Sequence, residues 1–373
     1  MTVDNGVLYI EGGGLQRSLL KIVSLFIVYG ALFRSFALRA LKHNLIVKLP
    51  LLYYLATIFA VTPFIYSNPY FMALNLLLFA PLLCVDFSGE KGRLTLEYLA
   101  KIITCVVCFQ LVVDLILRGF GFSLVGTLLG GMGNANTFGL HLIVAGLGLR
   151  FIFRKPLLSN ILLLSTWGTG SMACASIGSA LVLQNLIINL WKNPFGALVI
   201  IVSVMILVFN FSQFWDLEGK VGPLQHVYLK LEAALSLVFF GGDIEEVGSI
   251  AGRGAYTMQG LELLSDHPWA IIFGHPDFMP FYSGDGFYVA MAVTLGVPMM
   301  ILFFVSHIYM ILIGLREKNP VSNFAAYVLF VLVLFFASNR ILDYWPSGFI
   351  YMLVISYLLR KKVWAATDST ILR

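Results

Sequence analysis

The chain has 373 residues, 59% of them hydrophobic, 12% charged and 14% aromatic, with a formal net charge of +5. So little charge excludes a soluble domain of this length, and repeated apolar runs of about twenty residues mark membrane spans. The positive balance is not a nucleic-acid footprint, because lysines and arginines cluster in the short connections between apolar runs, where they set orientation.

In chain order, Met1–Gly14 is polar and glycine-rich and does not read as a cleavable leader. Spans are expected at about Leu19–Leu38, Val47–Tyr66 and Tyr70–Phe87, the last two joined by Ser67-Asn-Pro69. Glu90-Lys-Gly-Arg93 precedes a fourth at Thr95–Leu117, and a glycine-rich segment, Arg118–Asn136, leads to a fifth at Thr137–Phe153. Leu157–Trp167 and Ser176–Leu190 read as short spans around a Gly/Ser-rich break, followed by Phe195–Phe214. After a long polar interval come Phe287–Leu315, Val321–Ser338 and Pro346–Leu359. The expectation is an all-α polytopic membrane protein, residues 1–373 forming one integral membrane domain of about eleven transmembrane helices (ten to twelve).

The short connectors assign sides. With Arg360-Lys-Lys362 in the cytoplasm, alternation puts Arg39/Lys42/Lys48, Lys91/Arg93, Arg154/Lys155, Lys192 and Arg316/Lys318 there as well. An odd count leaves the N-terminus outside, with Arg17 and Lys21 against the bias. The interval from residue 215 to residue 286 is then one large extracytoplasmic loop, far longer than an ordinary connection, and loops of that kind tend to be functional.

Arg118, Lys220, Lys230, Arg253 and Arg340 fall on the lysine-poor side. Arg118 follows Asp114 by one helical turn and Arg340 lies near Asp343, so each is read either as a paired helix-end anchor or as an anion ligand. Arg253, between Gly252 and Gly254 with no adjacent acid, reads as an anion site. A guanidinium fork suits phosphate better than an ammonium because it donates two parallel hydrogen bonds. A lipid-linked diphosphate whose head group faces outward is the substrate class that fits.

Glycosyl transfer from such a donor needs a stabilised leaving group and a base beside the acceptor hydroxyl. Glu262, Asp266, His267, His275, Asp277 and Asp285 are the loop's candidates. Plainer readings stand beside some of these and beside the acidic run before them. His267 and His275 precede prolines and serve to shape turns, Asp285 caps the next span, and Asp243, Glu245 and Glu246 form a solvated acidic run. Leu224–Phe240 has the spacing of a helix lying on the membrane surface, and Gly254–Ser265 reads as a second helix halted by Asp266-His-Pro268. Cys84, Cys105, Cys108 and Cys174 all sit in apolar segments and read as packing, as His141 and Gln110 read as satisfied by neighbouring helices.

Arg253, Leu263-Leu-Ser-Asp-His-Pro268, Phe273-Gly274, Ser283-Gly-Asp285-Gly-Phe-Tyr288 and Leu295-Gly296 together resemble the O-antigen polymerase and O-antigen ligase superfamily, as does Gly133-Asn-Ala-Asn136. The resemblance runs from about Gly130 to the end. It implies a fold similar to GT-C-type membrane glycosyltransferases, no metal and no other cofactor. It also implies an undecaprenyl-diphosphate-linked oligosaccharide as substrate, at the periplasmic face of a bacterial inner membrane. Membrane lipid and a chain-length regulator protein are the expected partners, and no nucleic acid.

Carried over, Arg253 contacts the diphosphate, supported by Arg340 and by Arg118 in place of a cation the family often has elsewhere, with Asn136 and Asp343 as further substrate-binding residues. Asp285 or His275 takes the acceptor proton, with Asp266 and His267 against the substrate. Where ligases of this superfamily carry a histidine heading the span after the large loop, this chain has Asp285, which favours a polymerase. Where the family often has an arginine in the Gly/Ser-rich break, this chain reads Thr169-Gly-Ser-Met-Ala173. The rival expectations are a ligase acting on lipid A core and a transporter of the lipid-linked sugar. Repeats and midplane charges would mark the transporter, and neither is evident.

Overall fold

The computed structural model describes residues 2–4, 7–9, 27, 30, 34, 82–83, 85–87, 90–119, 135–192, 248–275, 286–337 and 345–359. The first three spans, Phe195–Phe214, the surface helix at Leu224–Phe240, the acidic run and Asp277 lie outside the described residues or largely so.

Helices dominate. Among the described residues they are α1 (Glu90–Gly119), α2 (Ala135–Phe151), α3 (Pro156–Leu164), α4 (Met172–Lys192) and α5 (Gly248–Asp266). They continue with α6 (Ala270–Phe273), α7 (Phe287–Leu295), α8 (Val297–Arg316), α9 (Pro320–Phe336) and α10 (Trp345–Leu358). α1 over Glu90–Leu117 and α8 are long and apolar enough to cross a membrane. The strictly all-α expectation needs one correction. β1 (Thr2–Asp4) and β2 (Val7–Tyr9) pair antiparallel, Val3 opposite Leu8. The Asn5-Gly6 dipeptide between them is a strong hairpin signal that the polar reading of this segment passed over.

Contacts divide the chain into two compact units: Met1, Ile10–Ile102 and Ile244–Arg373 form one, Thr2–Tyr9 and Ile103–Asp243 the other. In the second, Val107, Phe138, Leu142, Ala145 and Leu162 make a core. α2 is buried from Thr137 to Gly148. Its glycines let neighbours approach closely. A Cβ at Gly139 would strike Cys174, and one at Gly146 would strike Leu163. Ser159 Oγ donates to the Gly146 carbonyl at 2.8 Å, joining α3 to α2.

The expected Gly/Ser-rich break is a built hairpin. A 3-10 turn, Ser165–Thr169, ends at Gly170 with φ +66°. Thr166 and Thr169 hydroxyls donate to Leu163 and Thr166 carbonyls at 2.6 and 2.7 Å, and Ser171 Oγ accepts from the Cys174 N–H at 3.4 Å. Those bonds satisfy backbone groups that a helix end would otherwise strand.

In the first unit α9 forms the centre, packed by α8 and α10, and α7 packs on α8. Asn319 caps α9, its Oδ1 accepting from the Val321 N–H at 2.9 Å, with Pro320 at the first helical position. The expected Phe287–Leu315 span is not continuous. It breaks at Gly296, φ +87° and ψ 158°, and restarts with Pro298 in the first turn of α8. A proline there lacks only an N–H that a new helix leaves unpaired anyway.

Candidate active site

The site is built where α5 stops. Leu264 and Gly260 are buried along one face of α5, while Met258, Leu261, Glu262, Ser265 and Asp266 are exposed. The expected halt at Asp266-His-Pro268 is present: α5 ends at Asp266, and His267 closes the last turn by donating its N–H to the Leu263 carbonyl at 3.2 Å. Proline at 268 blocks further helix because its ring crowds the residue before it. The expected start at Gly254 is corrected, since the helix already begins at Gly248. Arg253 therefore stands in the second turn of a helix rather than in a glycine-flanked loop.

α6 follows at once and closes at Gly274, φ +79° and ψ 167°. Two backbones then interlock. A Cβ on Gly274 would collide with the Thr294 and Leu295 main chain, and one on Gly296 with the Ile271 and Ile272 carbonyls. The His275 N–H donates to the Val293 carbonyl at 2.7 Å. That bond occupies one of the carbonyls left open at the end of α7.

Folding back this way sets three rings together. His267 stacks on His275 with centroids 4.7 Å apart and planes 28° apart, and Trp269 stacks on His275 at 5.4 Å and 27°. His267 and Trp269 are 6.1 Å from each other, so the three centroids form a compact triangle and His275 is not sandwiched. His275 is 7% exposed, whereas His267 is exposed and Trp269 is 49% exposed. Of the two histidines, His267 is the one a large substrate can reach.

Arg253 and Asp266 are both on α5, so helical rise separates them by about 20 Å. The Arg253 backbone and the histidine stack therefore stand toward opposite ends of α5. Asn136 and the backbone of Arg118 belong to the other unit. Asn136 is in the first turn of α2, where its carbonyl faces Cys174 Sγ at 3.5 Å. Arg340, Asp343 and Asp285 lie outside the described residues. The N-cap of α7 is Gly286, and Asp285, expected as the cap, lies outside the described residues. Among the described residues no three His, Cys, Asp or Glu side chains are gathered as metal ligands.

One polar pair went unnoticed in the sequence. His307 on α8 is 2% exposed; its Nδ1 bonds the Phe303 carbonyl at 2.6 Å and its Nε2 meets Tyr351 Oη at 2.7 Å. Since Nδ1 must donate to a carbonyl, Nε2 is the acceptor and the Tyr351 hydroxyl donates. Phe303, Phe336 and Tyr351 surround the ring. By rise, His307 lies about 15 Å from the start of α8, half the helix length. His141 bonds only within its own helix, Nδ1 to the Thr137 carbonyl at 2.7 Å; among the described residues its Nε2 and Gln110 Oε1 have no partner, so the expected satisfaction by neighbouring helices is not seen there.

No protein-family model matches this chain, and no curated protein matches it either.

Proposed function

We propose that the chain is a multi-pass inner-membrane polysaccharide polymerase. It transfers a growing glycan from undecaprenyl diphosphate to the terminal sugar of a new lipid-linked repeat unit on the periplasmic side, making O-antigen or a related surface polysaccharide. The observation that carries the reading is the layout of α5, which bears Arg253 near one end and leads at the other into the His267–His275 stack. The charge distribution of the connectors supports an outward position for that helix.

In the transfer, the bond from the anomeric carbon to the diphosphate oxygen breaks, and its electron pair leaves with undecaprenyl diphosphate. The acceptor hydroxyl oxygen bonds the same carbon and gives its proton to Asp285. Arg253 holds the departing diphosphate with two parallel hydrogen bonds, and Arg340 adds positive charge. His267 meets the acceptor sugar, and the buried His275 holds His267 in place. Asp266 and Asp343 contribute polar contacts along the glycan.

The test is Arg253→Ala in cells of the native host, scored by glycan chain length and protein level together. Single-repeat product at normal protein level is expected. Unchanged long chains reject the role of Arg253.

A further inference from the structure

We propose that α6 is a bilayer-interface wedge, with Trp269, Ile271, Ile272 and Phe273 seated among lipid head groups and the first acyl carbons. The inference rests on the membrane reading above and is independent of the glycosyl-transfer chemistry. Trp269, Ile271, Ile272 and Phe273 are 49, 41, 55 and 73% exposed on the single turn of a short helix and its N-cap. That much apolar surface in one patch marks a contact with lipid or protein.

Its height in the bilayer decides which. The twenty residues of α8 rise about 30 Å, the thickness of the hydrocarbon core, so Gly296 marks one boundary. α6 is fixed at that level, because the Ile271 and Ile272 carbonyls abut Gly296 and the His275 N–H bonds Val293. Below it the apolar surface continues on α8 through Ile301, Phe304 and Val305, all about half exposed. On the other flank Met258 and Leu261 are exposed on α5. Tryptophan suits the boundary, having an apolar ring and a polar N–H. No lysine or arginine occurs between Gly254 and His275, so apolar burial alone drives the insertion. Zwitterionic lipid should suffice. A wedge at this height would hold the His267–His275 stack at the water boundary, where a lipid-linked glycan presents its first sugars.

The experiment reconstitutes the full chain in phosphatidylcholine vesicles brominated either near the carbonyl end or near the methyl end of the acyl chains. Subtracting the emission of Trp269→Phe isolates the Trp269 signal. Phe273→Trp in the Trp269→Phe background gives a second reading should that signal be weak. Phe304→Trp in the same background reports whether α8 itself is in the bilayer. Expected is strong loss of the Trp269 signal with carbonyl-end bromines, little with methyl-end bromines and little with aqueous iodide, unchanged by added anionic lipid. Quenching by iodide with none by bromine at 269 and 273, while Phe304→Trp is quenched by bromine, overturns the wedge and leaves a protein partner as the cover. Strongest quenching by methyl-end bromines overturns it too. Absence of bromine quenching at all three positions defeats the membrane reading beneath it.

Discussion

Gly274 and Gly296 meet backbone to backbone, each in a conformation open in practice to glycine alone, with φ +79° and +87° and extended ψ. A Cβ on Gly274 would collide with the Thr294–Leu295 main chain just before Gly296, and one on Gly296 with the Ile271 and Ile272 carbonyls just before Gly274. Gly274→Ala and Gly296→Ala should each cost at least about 2 kcal/mol, from backbone strain and overpacking together. Thermal unfolding in detergent checks this. Both variants should melt well below the parent, and Gly286→Ala, whose Cβ would meet only Val289 at ordinary contact distance, should not.

The His307–Tyr351 bond makes a different prediction. Tyr351→Phe strands the buried Nε2 of His307 and should cost about 1–3 kcal/mol. Pairing it with His307→Phe removes both polar partners. The double variant should recover most of that loss, because no group is left unsatisfied. A double-mutant cycle by unfolding measures the coupling directly.

In the second unit, Gly178 faces the Leu163 carbonyl and Thr166 Oγ1, both 2.6 Å from where a Cβ would stand. Gly178→Ala should therefore push α4 away from the 3-10 turn and cost about 1–3 kcal/mol. Limited proteolysis around Ser165–Thr169 should accelerate in that variant and not in Ser179→Ala, which loses only the bond from Trp167 Nε1.

If Arg253 grips a diphosphate by its fork, Arg253→Lys should lose most of the activity despite keeping its charge. Polymer length in cells and in a reconstituted assay both report it. A cysteine placed at 253 should label with a membrane-impermeant reagent from the periplasmic side. Labelling only after the cytoplasmic face is opened contradicts the orientation.

Local chemistry was what the sequence made legible. α1 showed as a long apolar run, α5 as a helix ending before Pro268, and α9 and α10 within a residue or two of their bounds. Tertiary partners were not. The break at Gly296 lies in an unbroken apolar stretch, and its cause is the α6 main chain packed against it from elsewhere in the sequence. His307 finds Tyr351 on another helix, so no spacing within α8 announces the pair. His267 and His275 were both picked out for their prolines and titratable rings. That they stack, one exposed and one buried, follows from the turn through α6, which the sequence did not reveal.

The central claim is polymerisation, and one assay reaches it most directly. Purified chain in vesicles is given the host's own undecaprenyl-diphosphate-linked repeat unit, with no lipid A present. A polymerase yields a ladder of lengthened lipid-linked glycans that Arg253→Ala abolishes. Recovery of the single repeat unit alone, with product appearing only once lipid A core is supplied, would contradict it and assign the chain to ligation.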